Sequence, residues 1–125
     1  MASGDITDAA ISASTYYSSN VISHKPQLAR LHWTILGTYQ GWVAKTLNAN
    51  QWLQIDLGKM QFISGVATQG RHKDSQWVKH YWLQHSNDGV TWNNYQSKKV
   101  GRLQLSQFLF VLFLTGARGR GCLLF

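Results

Sequence analysis

The chain has 125 residues, of which 44% are hydrophobic and 14% are charged. This length fits one domain, and the composition is too apolar and too weakly charged for an intrinsically disordered segment. A single cysteine excludes both a disulfide framework within the chain and a multi-cysteine zinc site. The formal net charge of +7 suggests an anionic partner, either nucleic acid or a membrane surface.

The positive charge is concentrated near the C-terminus. Residues 98–125 carry five basic side chains and no acidic one, whereas residues 1–97 carry seven basic side chains and all five aspartates. Every Trp and Tyr lies before residue 96, while four of the five Phe lie after residue 107. We therefore predict a body over residues 1–97 and a divergent basic and apolar tail over residues 98–125 that need not belong to the native fold.

Neither a signal peptide nor a transmembrane segment is predicted. Residues 1–5 lack the basic and apolar regions of a signal peptide, so the chain as given carries no export signal of its own. The longest apolar run, residues 108–114, is too short to cross a bilayer as a helix. Two interpretations of this run stay open: a replacement strand, or an aggregation-prone segment.

The middle of the chain predicts β-structure. Leu53, Ile55 and Leu57 alternate with polar residues, which is typical of a half-buried strand. The further predicted elements are a turn at residues 58–59, strands over residues 61–69, 77–86 and 91–95, and a hairpin turn at residues 87–89. Short strands at this spacing indicate an antiparallel sandwich or barrel, and no helical periodicity competes.

Seven short motifs then occur in a fixed order. They are SGDI at residues 3–6, ISAS at 11–14, ARL at 29–31, GW at 41–42, NQWLQIDLG at 50–58, GVATQGR at 65–71 and HSNDGVTW at 85–92. Together they resemble the signature of discoidin domains, also called coagulation factor V/VIII type C domains, over residues 3–97. The resemblance implies an all-β antiparallel jelly-roll sandwich with ligand-binding loops at one end, and an extracellular adhesion or binding role without catalysis.

The chain departs from this family after residue 97. Family domains usually end in further strands and are closed by a disulfide between their first and last residues. The expected closing motifs are missing here, and Cys122 lies among glycines and arginines. We interpret the chain as a partial domain whose C-terminal strands are missing or replaced by unrelated sequence.

By motif position, three recognition loops are expected at about residues 16–25, 32–40 and 71–76. The candidate ligand-binding residues are Val21, Ile22 and His24 in the first loop, Trp33, Ile35, Leu36 and Tyr39 in the second, and Arg71, His72 and Lys73 in the third.

Each loop leaves an alternative open. The apolar tip of the first loop either inserts into lipid headgroups or contacts a partner, or it packs on the sandwich edge. The second loop holds more large apolar groups than a surface loop without a binding role needs, which favours contact with a ligand. The third loop attracts anionic lipid, a sulfated glycan or a carboxylate, unless Lys73 pairs with Asp74 in a solvated turn or Arg71 bonds nearby carbonyls.

No residue set predicts catalysis, a metal or a cofactor. His80 and His85 are five apart on a predicted strand and so face opposite sides. No glutamate is present to form a carboxylate pair, and no Ser/His/Asp or Cys/His set has a motif context. We therefore expect no enzymatic activity, no metal ion and no cofactor.

The expected partner is a cell-surface glycan, an anionic membrane surface or an extracellular protein, and no nucleic acid is expected. We expect the domain to be extracellular, as part of a larger secreted protein. Two alternatives stay open. A truncated product without independent function would expose sheet edges, and a nucleic-acid-binding tail would show steep salt dependence. The last residues, CLLF at 122–125, fit a prenylation box, but that modification is cytosolic.

Overall fold

The computed structural model describes residues 6–17, 24–32, 34–35, 38–39, 41–59, 61–63, 66–70, 76–78, 80–95, 103–105, 109–114 and 122–123. Within these ranges the regular structure consists of eleven short strands and two single-turn 3-10 helices, with no α-helix. The predicted all-β class is confirmed.

The strands are β1 (Ile11–Ala13), β2 (Thr34–Ile35), β3 (Thr38–Tyr39), β4 (Trp42–Val43), β5 (Trp52–Asp56), β6 (Gln61–Ile63), β7 (Tyr81–Ser86), β8 (Asn93–Asn94), β9 (Leu103–Leu105), β10 (Leu109–Leu114) and β11 (Cys122–Leu123). The 3-10 helices are Asp8–Ala10, before β1, and Pro26–Leu28, between β1 and β2.

One antiparallel sheet of five strands forms the larger layer, in the order β1-β5-β10-β7-β8. Three two-stranded sheets, β4 with β11, β2 with β3 and β6 with β9, make up the remaining paired strands. At one end of the large sheet β1 finishes, while β5 and β7 begin, because Ala13 pairs with Leu53 and Leu114 pairs with Tyr81. We call this the loop end, and the opposite one the far end.

The core forms on one face of β5, as the alternation predicts. Leu53 has no exposed surface, Ile55 is buried, and Leu57 packs against the same cluster. The buried cluster comprises Ile11, Ala29, Trp42, Ala44, Leu53 and Ile55. β5 therefore contributes two residues, Leu53 and Ile55, to the buried core of the sandwich.

The tail supplies the strand beside β5. β10 lies between β5 and β7 and pairs with both, over residues 109–113 with β5 and 109–114 with β7. Residues 109–114 of the apolar run form a strand of the large sheet. That this strand replaces one of the family's own stays a prediction. A domain boundary at residue 97 stays a prediction.

Three predicted strands are shorter than expected, among them the strand predicted over residues 91–95, which is β8 at Asn93–Asn94. The strand expected over residues 77–86 begins at Tyr81, because its ladder with β10 stops at the Leu114–Tyr81 pair. Of the strand expected over residues 61–69, Gln61–Ile63 form β6, which pairs with β9. Residues 64–65 lie outside the described residues, and residues 66–68 are not in a strand. Strand length follows the available partner, which a local pattern does not contain.

The predicted hairpin turn joins β7 to β8 at the far end. The carboxylate of Asp88 accepts the backbone N–H of Thr91 at 2.7 Å, the backbone N–H of Val90 at 2.8 Å and the hydroxyl of Ser86 at 2.9 Å. These bonds favour the ionised form and hold the pKa of Asp88 well below its usual range. Gly89 supplies the positive φ of 73° that the turn requires.

A buried arginine forms hydrogen bonds with the N-terminal segment at the far end. Nη2 of Arg30 donates to the carbonyl oxygen of Ile6 at 2.7 Å and to Oδ1 of Asp8 at 2.8 Å. The Arg30 side chain is almost completely buried, whereas that of Asp8 is exposed. Arg30 of the ARL motif is therefore satisfied within the fold and is not available to a ligand.

Replacing Leu53 with alanine tests the position of the core. Because the side chain is completely buried, we expect Leu53→Ala to lower the free energy of unfolding by about 2–5 kcal/mol in urea titrations. Val90→Ala is the matched control, since Val90 is 81% exposed and should change stability by at most about 0.5 kcal/mol. Equal effects of the two substitutions would contradict the assigned core.

Replacing Asp88 with asparagine tests the turn. The lowered pKa means that the ionised carboxylate stabilises the fold above the unfolded-state pKa of about 3.9, and that this stability is lost as pH falls through the lower folded-state value. The stability difference between the wild type and Asp88→Asn should thus be constant near neutral pH and shrink below about pH 4. Chemical denaturation at several pH values measures it, and a difference independent of pH would refute the account.

Candidate functional site

The first predicted loop is closed at its root by β4. The backbone N–H of Tyr17 donates to the carbonyl oxygen of Val43 at 2.8 Å, and the N–H of Val43 donates to the carbonyl oxygen of His24 at 3.3 Å. The rings of Tyr17 and His24 also meet edge to face, with centroids 5.7 Å apart. Both ends of residues 18–23 are therefore held at one strand of the sandwich.

His24 is the one predicted contact residue whose side chain is described. It is 7% exposed and has a φ of 99°, an uncommon backbone conformation for a residue with a Cβ. The structure thus places His24, largely buried, in the root of the loop beside Val43. Val21 and Ile22 lie outside the described residues. The contact role of all three stays a prediction.

The second predicted loop contains a short β-hairpin. Thr34 pairs with Tyr39, and Ile35 pairs with Thr38. Two predicted contact residues, Ile35 and Tyr39, therefore lie in the paired strands β2 and β3. Trp33 and Leu36 lie outside the described residues.

The third predicted loop has roots that touch. A Cβ added to Gly70 would lie 3.1 Å from the carbonyl oxygen of Gln76 and 3.3 Å from Cβ of Trp77. Such distances show that the backbone before residues 71–75 passes directly against the backbone after them. Arg71, His72 and Lys73 lie outside the described residues.

The roots are also connected to one another. The exposed backbone N–H of His32, just before the second loop, donates to Oε1 of Gln69, just before the third, at 3.4 Å. β4 follows the second loop directly and carries Val43, which holds the first. The structure therefore brings the roots of all three predicted loops together.

A hydrogen-bonded polar cluster supports this end of the sandwich. The buried Gln51 accepts the hydroxyls of Ser14, at 2.9 Å, and Thr15, and its Nε2 donates to Oδ1 of Asn48 at 2.8 Å. Nε1 of the buried Trp42 donates to the carbonyl oxygen of Thr15 at 2.8 Å. These bonds fix residues 45–51 beside the start of the first loop.

Three exposed apolar side chains beside the loop roots were absent from the sequence-based candidates. They are Tyr16, Leu47 and Trp77, the last of which is 54% exposed. Trp77 directly follows the third loop, but the strand pattern assigned it to a longer β7. Its position beside a basic loop was the available signal. Leu47 lies on the exposed stretch after β4, where no periodicity marks a contact residue.

The described aspartates lie away from the loops. Asp56 ends β5 at the far end, Asp88 lies in the turn after β7, and Asp8 precedes β1 at the same end. Lys45 is exposed near the first loop. The other two aspartates of the chain, Asp5 and Asp74, lie outside the described residues. The described part of the fold therefore carries its acidic groups at the far end.

The described residues offer neither a metal site nor a helical membrane span. They contain no group of three or more His, Cys, Asp or Glu side chains arranged to hold a metal ion. They also include no helix with the length and apolarity needed to span a bilayer.

The fold and the loop arrangement agree with a family match. The family model described as the F5/8 type C domain matches residues 10–107, most of the chain. The chain belongs to the F5/8 type C, or discoidin, domain family. The resemblance predicted from the motifs is confirmed, and the family match extends ten residues past the predicted body.

The chain matches part of several longer curated relatives. Lactadherin of Bos taurus is 38% identical over 91 residues, covering 69% of this chain and 21% of the relative. Coagulation factor V of Sus scrofa is 41% identical over 101 residues, covering 78% and 4%. Coagulation factor VIII of Homo sapiens is 35% identical over 113 residues, covering 88% and 5%. The chain therefore spans about a fifth or less of each of these relatives.

A solved structure supports the same fold. Discoidin II from Dictyostelium discoideum superposes with a TM-score of 0.70 at 18% identity, over 91% of this chain and 51% of that one. At this identity the likeness concerns the fold, which confirms the predicted discoidin-like sandwich.

Replacing Gly70 with alanine tests the closed root of the third loop in this F5/8 type C domain. The added Cβ would press on Gln76 and Trp77, so we expect their amide signals to shift in a proton–nitrogen NMR spectrum and stability to fall by about 1 kcal/mol. Thr68→Ala, two residues earlier at an exposed position, is the control. Unchanged Gln76 and Trp77 signals in Gly70→Ala would show that the roots do not touch.

Proposed function

We propose that this domain binds an anionic phospholipid surface through its loop end, as an extracellular module of a longer protein. The observation that carries the proposal is the arrangement of the three loop roots together at one end of the sandwich, with the described acidic groups at the other. Membership in a family of binding domains supports a role in recognition rather than catalysis.

The charge distribution would orient the domain. The sequence places Arg71 and Lys73 in the third loop, and exposed Lys45 lies near the first. Asp8, Asp56 and Asp88 at the far end would be repelled by an anionic surface. A basic residue near such a surface contributes about 1 kcal/mol, so the loop end would face the membrane.

Apolar groups at the same end would supply the second part of the binding energy. Tyr16, Leu47 and Trp77 are exposed around the loop roots, and the sequence places Ile22 and Trp33 in the loops themselves. Tyrosine and tryptophan are favoured where an apolar environment meets water, because each joins an apolar ring to a polar group. Such a rim fits the headgroup region of a bilayer better than it fits a small soluble anion.

Vesicle sedimentation tests the proposal and its site. Full-length chain should bind phosphatidylserine-containing vesicles but not phosphatidylcholine vesicles, and binding should weaken with salt. The double substitution Arg71→Ala and Lys73→Ala should weaken binding about 30-fold, from about 1 kcal/mol per charge. Trp33→Ala and Ile22→Ser together should weaken it further by removing apolar contact.

Two matched controls locate the effect. Lys59→Ala and Val90→Ser remove an exposed charge and an exposed apolar group away from the three loops, and both should leave vesicle binding within about twofold of wild type. Binding that survives the loop substitutions would exclude the assigned site. If the wild type binds neither vesicle type but binds a glycan array or an extracellular protein through these loops, the ligand is of that class and the lipid proposal is wrong.

A further inference from the structure

The outer face of the five-stranded sheet holds two rows of residues in register. Leu53 and Leu83 belong to the core face, so their neighbours along β5 and β7 belong to the opposite face. That face includes Trp52 and Trp82 at the loop end, and Gln54 and Gln84 one pair further along. This outer face is separate from the three loops of the candidate site.

The first row is aromatic. Phe113 of β10 pairs with Trp52 on one side and with Trp82 on the other, so these three residues occupy one register position across three strands. Trp82 is 59% exposed although it lies within a strand, and Trp52 is partly exposed. Two strand spacings separate the two tryptophans, about 10 Å.

The second row is uncharged and has polar residues on either side of the central Val111. Ser12 pairs with Gln54, Gln54 and Gln84 both pair with Val111, and Gln84 pairs with Asn94. Nε2 of Gln84 donates to Oδ1 of Asn94 at 2.8 Å, which fixes the two amides relative to each other. This row runs parallel to the aromatic row at a distance of about 7 Å, two residues along each strand.

We propose that this outer face is a second binding surface, specific for an extended, neutral β-1,4-linked glycan. The C–H face of a pyranose ring is apolar and stacks on an indole, while its hydroxyl groups exchange hydrogen bonds with side-chain amides. In a β-1,4-linked ribbon every second ring presents the same face, at a repeat close to the separation of Trp52 and Trp82. The half-buried Gln54 and the exposed Asn94 then lie beside the ribbon. Gln84 would contribute only its Nε2 amide group, since its Oε1 is buried.

The composition of the face favours a neutral glycan over the membrane ligand proposed for the loops. Along both rows the described side chains carry no formal charge. Binding to an anionic bilayer is favoured by basic groups, whereas this face carries one aromatic row and one row of uncharged, mostly polar residues. An isolated exposed aromatic residue would need no explanation; the in-register combination of the two rows is what indicates the ligand.

Titration of the chain with a β-1,4-linked glucose hexasaccharide tests the inference. Calorimetry and tryptophan fluorescence detect the binding. The wild type should bind it and should not bind the α-1,4-linked hexasaccharide, whose chain curves. Trp82→Ala should weaken binding at least about tenfold, and Gln84→Ala, which leaves the aromatic row intact, about three- to tenfold. Trp82→Phe keeps an aromatic face and should stay within about threefold of wild type.

Trp77→Ala is the matched control, because Trp77 is an equally exposed tryptophan that lies at the loop root and not on this face. It should leave hexasaccharide binding within about twofold of wild type. The inference is overturned if the wild type does not bind the β-linked sugar, if Trp77→Ala weakens binding as much as Trp82→Ala does, or if Gln84→Ala has no effect. None of these results bears on vesicle binding.

Discussion

The burial of one face of β5 is the constraint on which the rest of the structure depends. Leu53 and Ile55 are buried in the core, and β5 is hydrogen-bonded on both sides, to β1 and to β10. A slip of one residue in either ladder would turn these side chains to solvent and bring Gln54 and Asp56 inward. The fixed register of β5 therefore also determines which residues reach the loop end and which form the outer face.

The loops are attached to this framework by backbone contacts at their roots. Val43 holds both ends of the first loop through its own N–H and C=O groups, and Gly70 lets the two ends of the third loop approach each other. Such contacts constrain the roots while placing few demands on the side chains between them. A family of this kind can therefore change its ligand by changing loop tips, without altering the sandwich.

Local patterns predicted part of this architecture. The alternation around Leu53 and the Asn-Asp-Gly turn before β8 each depend on neighbours in the chain, and both are confirmed. The start of β7 was wrong by four residues, because residues 77–80 keep a strand-like composition after β10, the partner, has ended. Pairing between distant segments is absent from any short window of sequence.

The candidate site shows the same division. The motifs gave three loops in chain order, but the bond from His32 to Gln69 and the exposure of Trp77 depend on packing between segments. Composition alone would count Arg30 among the charges available to an anionic ligand. In the fold its side chain is buried and paired with Asp8. Much of the net charge lies in residues 98–125, where β10 nevertheless is an inner strand of the sheet.

The place of β10 between β5 and β7 has a consequence for biosynthesis. Both neighbours leave the ribosome well before β10 does, so until then each presents a strand edge without its partner. Closing a sheet through contacts as distant as Leu53 with Leu112 requires a large loss of chain entropy before the contacts are formed. The large sheet therefore cannot close on the nascent chain until β10 emerges, and chaperones that shield strand edges would act in that interval.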